Sequence, residues 1–122
     1  MTLANKAELI RAIFAAYHAN DRQRVEAALS DDFRFTSPYD DGIDKATYFV
    51  RCWKNTDWIE RHELEQILID DDRAFVTYHC VAKDGKSSRN TEFFVFVDDK
   101  VRSIDVYFGA AYQNGNFVAQ AR

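Results

Sequence analysis

Apolar positions near the start of the chain recur at helical spacing. Leu9, Ile10, Ile13, Phe14 and Tyr17 make one stripe, the mark of an amphipathic helix. Asn5 with Glu8 three residues on reads as a capping box for it. The stripe stops at His18-Ala19-Asn20-Asp21, and Val25, Ala28 and Leu29 predict a short second helix, ended by Ser30-Asp31-Asp32. Phe33-Arg34-Phe35-Thr36 alternates as a short strand does. Ser37 to Gly42 concentrates Pro, Asp and Gly and reads as a loop. A third helix is expected from Asp44, carrying Phe49, Val50 and Trp53.

After Trp53 the period changes. Strand-like runs span Trp58–Ile69, Ala74–Val81, Thr91–Val97 and Val101–Phe108. Short polar turns separate them at Asp70-Asp71-Asp72, Lys83-Asp84-Gly85-Lys86 and Asp98-Asp99-Lys100. Connections so short imply an antiparallel meander. Helices first and sheet afterwards make an α+β fold, with helices over one sheet face. The strands carry apolar residues on both faces, so the second face needs a cover. A homodimer through Tyr78, Cys80, Phe93 and Val95 is the simplest one.

Composition narrows the partners. At 122 residues, 47% hydrophobic and 15% aromatic, residues 1–122 make one domain with aromatics to spare for a lined cavity. A net charge of -4 repels phosphate backbones, which argues against nucleic acid. No apolar run reaches the length of a membrane span or of a signal-peptide core. Cys52 and Cys80 form neither a disulfide framework nor a metal spacing, so a reduced cytoplasmic protein is expected. The three histidines are scattered, and no glycine-rich phosphate loop occurs. Neither a metal nor any other cofactor is therefore expected.

The order helix, helix, strand, helix and then a meander resembles the nuclear transport factor 2-like superfamily, in its SnoaL-like and ketosteroid-isomerase-like branch. Three stretches carry the resemblance: Ala15 to Asp21, Leu29 to Pro38, and Asp99 to Gly109. It implies a cone-shaped α+β fold, three helices on a curved, mainly antiparallel sheet, with a cavity between them. It does not carry over the isomerase machinery. Ser37 stands at that family's base position, Ile13 at its helix tyrosine, and Glu92 near its strand aspartate. The acid that often follows the last strand's aromatic pair is replaced by Gly109, after Tyr107 and Phe108.

A turn at Asp84 to Ser87 would set His79 opposite Glu92, and a turn at Asp71-Asp72 would set Leu64 beside His79 and His62 beside Val81. One face would then hold His62, Leu64, Gln66, Phe75, Thr77, His79, Glu92, Phe94 and Phe96. A carboxylate beside a histidine favours imidazolium and orients the ring, so His79 and Glu92 are the expected catalytic pair. Tyr17, Tyr39, Asp40, Phe49, Trp53, His62 and Phe108 are the expected ligand contacts, with Phe49 and Trp53 as an aromatic wall. Two functions stay open at this point. One is cofactor-independent acid/base chemistry on a small, mostly apolar or amphipathic molecule: isomerisation, cyclisation, dehydration or hydrolysis. The other is a non-catalytic module that binds a small ligand or a protein.

Overall fold

The computed structural model describes residues 2–53 and 57–119. The first half holds two helices, α1 (Leu3–His18) and α2 (Arg22–Ala28), then two strands, β1 (Leu29–Ser37) and β2 (Asp40–Asp44), and then a third helix, α3 (Lys45–Cys52). The second half is a meander of β3 (Ile59–Asp70), β4 (Arg73–Ala82), β5 (Ser87–Val97) and β6 (Lys100–Gln113), closed by a short β7 (Asn116–Val118). The sheet runs β2-β1-β6-β5-β4-β3, with β7 on β6. Among the described residues only the β1–β6 pairing is parallel. The predicted α+β cone, three helices over one face of a curved sheet, is the fold found.

Local chemistry explains the elements. The α1 cap is Thr2, whose Oγ1 accepts from the Asn5 N–H at 3.1 Å; the expected capping box on Asn5 does not form. Asn20, at φ 58°, ends this helix in the left-handed region that asparagine tolerates. Asp21 caps α2 and Asp44 caps α3 through side-chain acceptors. Ile10, Val25, Leu29, Phe33, Val76 and Phe94 are almost fully buried between helices and sheet. Lys6 is buried with them, its Nζ donating to the Asp71 carbonyl and lying over the Phe96 ring, 5.8 Å from the centroid.

Several boundaries differ from expectation, among them the start of β5, at Ser87 rather than Thr91. The first strand begins at Leu29, which pairs with Val101, so Ser30-Asp31-Asp32 belongs to an irregular strand rather than a helix stop. The segment expected as a loop holds a strand, β2, antiparallel to β1. Its Gly42 N–H donates to Thr36 Oγ1 at 2.9 Å, and its φ of 60° gives the bend that glycine permits. β6 runs to Gln113, beyond the expected end at Phe108.

The register differs too, and this decides the site. The β4–β5 turn is Lys83-Asp84-Gly85, closed by Ala82 N–H to the Lys86 carbonyl at 2.8 Å. His79 therefore pairs with Arg89, and Glu92 pairs with Val76. That is an odd displacement from the expected register, so side chains exchange faces. A bulge between Leu64 and Gln66 sets Leu64 opposite Tyr78 and His62 opposite Cys80. Those four residues face the helices with Glu92, Phe94 and Phe96. His79, Phe75, Thr77 and Gln66 face the other way, with Phe93 and Val95. The expected dimer face is split likewise, since Tyr78 and Cys80 are buried under the helices.

Candidate functional site

Between the helices and the concave sheet lies a cavity of about 470 Å³. Phe14 and Tyr17 reach it from α1, Tyr48 and Cys52 from α3, and Phe35 and Ser37 from β1. The sheet contributes His62, Tyr78, Cys80, Asn90, Glu92, Val106 and Phe108. A mostly apolar cavity with a few convergent polar groups is the usual form of a small-molecule site.

Glu92 presents a buried carboxyl to this cavity. Burial pushes its carboxyl up to about 7, although the Tyr78 hydrogen bond pulls the other way. Tyr78 Oη donates to Glu92 Oε2 at 2.6 Å, and Asn90 Nδ2 donates to Tyr78 Oη at 3.3 Å. The Gly109 N–H in turn donates to Asn90 Oδ1 at 3.4 Å. Tyr17 also lines the cavity, against the Trp53 ring at 5.2 Å. Its hydroxyl is buried and has no hydrogen-bond partner among the described residues. Burial first, and the Glu92 charge second, hold both phenols well above their ordinary range, so each stays a donor.

His62 sits in the cavity wall, its Nδ1 2.6 Å from His18 Nε2 at the end of α1. Burial, and then the His18 charge, bring it down to about 4, so it is neutral near pH 7. Burial lowers His18 as well. Asp40 is buried in an ion pair with Arg51 at 2.5 Å and accepts from Cys52 Sγ at 3.8 Å. These contacts hold its carboxylate at the cavity wall. The Cys80 thiol, pushed up to about 11 by burial and then by Glu92, is no nucleophile near neutral pH. No group of three metal-ligating side chains occurs among the described residues. No helix among them is long and apolar enough to cross a membrane.

Of the residues singled out in the sequence, Glu92, Tyr17, Tyr39, Asp40, His62 and Phe108 line the cavity. His79 does not. Its Nδ1 lies 3.0 Å from Glu63 Oε1 on the outer face, so a cross-strand histidine–glutamate pair exists, but with another glutamate. Phe49 and Trp53 do not line the cavity either. Phe49 is buried beside Tyr48 and below the Arg22 guanidinium, and Trp53 backs Tyr17. Trp58 takes the wall position instead. Tyr78 and Asn90 were missed. A three-residue β4–β5 turn, which Asp-Gly before Lys86 allows, would have put both beside Glu92.

A model of the SnoaL-like domain matches residues 10–104. No curated protein sequence matches the chain. Among solved structures, the chain resembles a candidate ketosteroid isomerase from Kribbella flavida DSM 17836. Identity is 20%, coverage 90% of this chain and 82% of that one, and the TM-score 0.75. It also resembles AclR, a candidate hydroxylase from Streptomyces galilaeus, at 19% identity, 88% and 91% coverage and a TM-score of 0.75. A third is an NTF2-like protein of unknown function from Cytophaga hutchinsonii ATCC 33406, at 12% identity, 88% and 92% coverage and a TM-score of 0.71. At such identities the likeness is one of fold.

Proposed function

The chain belongs to the SnoaL-like domain family of the nuclear transport factor 2-like superfamily, and on that basis we propose that it is a cofactor-independent acid/base enzyme. Its substrate would be a small, mostly apolar molecule with a carbonyl group. The observation that carries this reading is Glu92: a cavity carboxyl that titrates near 7, held by Tyr78 at 2.6 Å, with the unpaired Tyr17 hydroxyl in the same cavity.

The chemistry follows from these groups. The apolar body packs against Phe35, Tyr48 and Phe108. The substrate carbonyl oxygen accepts the Tyr17 proton as a hydrogen bond, which satisfies the buried hydroxyl. Ionised Glu92 takes a proton from the adjacent carbon, and the C–H electron pair moves into the carbonyl to give an enolate. Tyr17 stabilises the developing oxyanion. Where a carbon–carbon double bond lies next to the deprotonated carbon, Glu92 returns the proton to the far end of that bond as the double bond shifts into conjugation and the carbonyl re-forms. Alternatively the enolate carbon closes on a second carbonyl carbon of the same molecule, and the alkoxide so formed takes the proton from Glu92. The first outcome is an isomerisation and the second a cyclisation. A carboxyl titrating near the working pH suits both directions of transfer.

Screening cyclic ketones and enones by thermal shift, then following proton exchange into the hits, tests the proposal. Glu92→Gln is expected to slow exchange by about 10²–10⁴ and Tyr17→Phe by about 10–10³. The wild-type rate should rise with pH through about 7, as the Glu92 carboxylate forms. Ligands that bind but exchange no faster than in buffer would instead identify a non-catalytic binding module.

A further inference from the structure

We propose that Asn90 is a positioning residue that fixes the direction of the Tyr78–Glu92 hydrogen bond, so that Tyr78 always donates to the carboxyl. The inference rests on Glu92 being the acid/base group, and it explains how that group is held ready as an acceptor.

The argument begins at the backbone. Between Ser88 and Asn90 the β5 strand advances two residues, while β6 advances three, from Ala111 to Phe108. The extra residue makes a bulge on β6 beside Gly109. Only glycine fits there: an added Cβ would lie 2.1 Å from the Arg89 carbonyl oxygen. This close approach aims the Gly109 N–H at the Asn90 side chain, 3.4 Å away. A backbone N–H can only donate, so the atom it meets is the amide oxygen. The other amide atom is then the NH₂ group, and it faces Tyr78 Oη at 3.3 Å. An NH₂ group can only donate. Tyr78 Oη therefore accepts from Asn90, and its own proton has one remaining direction, to Glu92 Oε2 at 2.6 Å. Polarity set by one peptide group thus runs through two side chains to the carboxyl, each bond strengthening the next. Gly109 stands where related proteins often carry an acid, and its smallness here serves the bulge.

Other titratable groups line the same cavity. They are Tyr17 from α1, Tyr39 between β1 and β2, Asp40 from β2, Tyr48 and Cys52 from α3, His62 from β3, Cys80 from β4, and Asp84 with Lys86 at the β4–β5 turn. Asp40 is paired with Arg51, and Lys86 with Asp84 at 3.7 Å. None of them touches the Asn90 amide in the hydrogen-bond network described above.

The test is a double-mutant cycle on the Glu92 titration, followed by carboxyl carbon NMR in the full chain without substrate. Asn90→Leu is expected to raise the Glu92 midpoint by about one pH unit, because Tyr78 becomes a weaker donor to the carboxylate. In a Tyr78→Phe background the same substitution should leave the midpoint where Tyr78→Phe alone puts it. Equal shifts in both backgrounds, or none in either, would overturn the proposal, since Asn90 would then act as bulk or not at all. If Asn90→Leu fails to fold, Asn90→Ala carries the same comparison without added bulk. The readout needs no turnover. A coupled shift together with full activity of Glu92→Gln would remove the proposed function and leave the role of Asn90 standing.

Discussion

Glu92 and His62 are both held away from their ordinary protonation, in opposite senses. For Glu92 the folded value, about 7, exceeds the ordinary 4.5. The folded state binds more protons between those values, so stability falls as pH rises from 4.5 to 7. For His62 the folded value, about 4, lies below the ordinary 6.5. Here the unfolded state binds more protons, so stability rises with pH between 4 and 6.5. The two slopes oppose each other over most of their range. Glu92→Gln should therefore gain on the order of 1–3 kcal/mol at pH 8 and show stability climbing from pH 4.5 to 6.5. His62→Leu should show the reverse slope. Urea denaturation at stepped pH checks both, and parallel profiles for the two variants would contradict the account. Legibility in the sequence varied at this scale. Glu92, Tyr17 and His62 were identifiable as polar groups in apolar runs. Tyr78 was not, because the expected turn at Asp84 to Ser87 puts it on the outer face, and only the three-residue β4–β5 turn brings it round to Glu92.

The elements were legible wherever their determinants are local. Helical spacing, the Asp44 cap and the acidic turns at Asp71 and Asp98, with φ of 58° and 55°, all act within a few residues. β2 was not legible, since Asp40 to Asp44 has turn composition and becomes a strand only through its ladder to β1. The α1 cap gives a clean test. Thr2→Ala should lower stability by about 1 kcal/mol, whereas Asn5→Ala should leave it nearly unchanged or raise it slightly, read by thermal melts. A larger loss at Asn5 would restore the capping box. Gly109→Ala should lower stability by about 2 kcal/mol or more, because β6 must move off the Arg89 carbonyl. Backbone amide shifts should change around Asn90 and Arg89. An unperturbed Gly109→Ala spectrum would contradict the close approach.

At the scale of the whole molecule, the outer sheet face carries a row that crosses three strands: Leu68, Phe75 and Phe93. Leu68 is 66% exposed and Phe75 49%, with Tyr107 at 59% on the same face. Glu63–His79 and Glu65–Arg89 pairs lie at the other end of it. We propose this face, rather than the one holding Tyr78 and Cys80, as the seat of a homodimer. Sedimentation at micromolar concentration should give twice the protomer mass, and Phe75→Asp should halve it without changing the far-ultraviolet spectrum. A wild-type protein that sediments as a protomer would remove the proposal.

The sequence by itself determined the order of elements, the α+β layering and the kind of side chain available to a cavity. These depend on periodicity, turns and composition, all readable within short windows. Only the tertiary structure decided which polar groups meet. Two local events settled it, a three-residue β4–β5 turn and a bulge between Leu64 and Gln66. Each shifts the count by an odd number of residues. In a strand, an odd shift moves every side chain to the opposite face. His79 thereby left the cavity for Glu63, and Tyr78 entered it to meet Glu92.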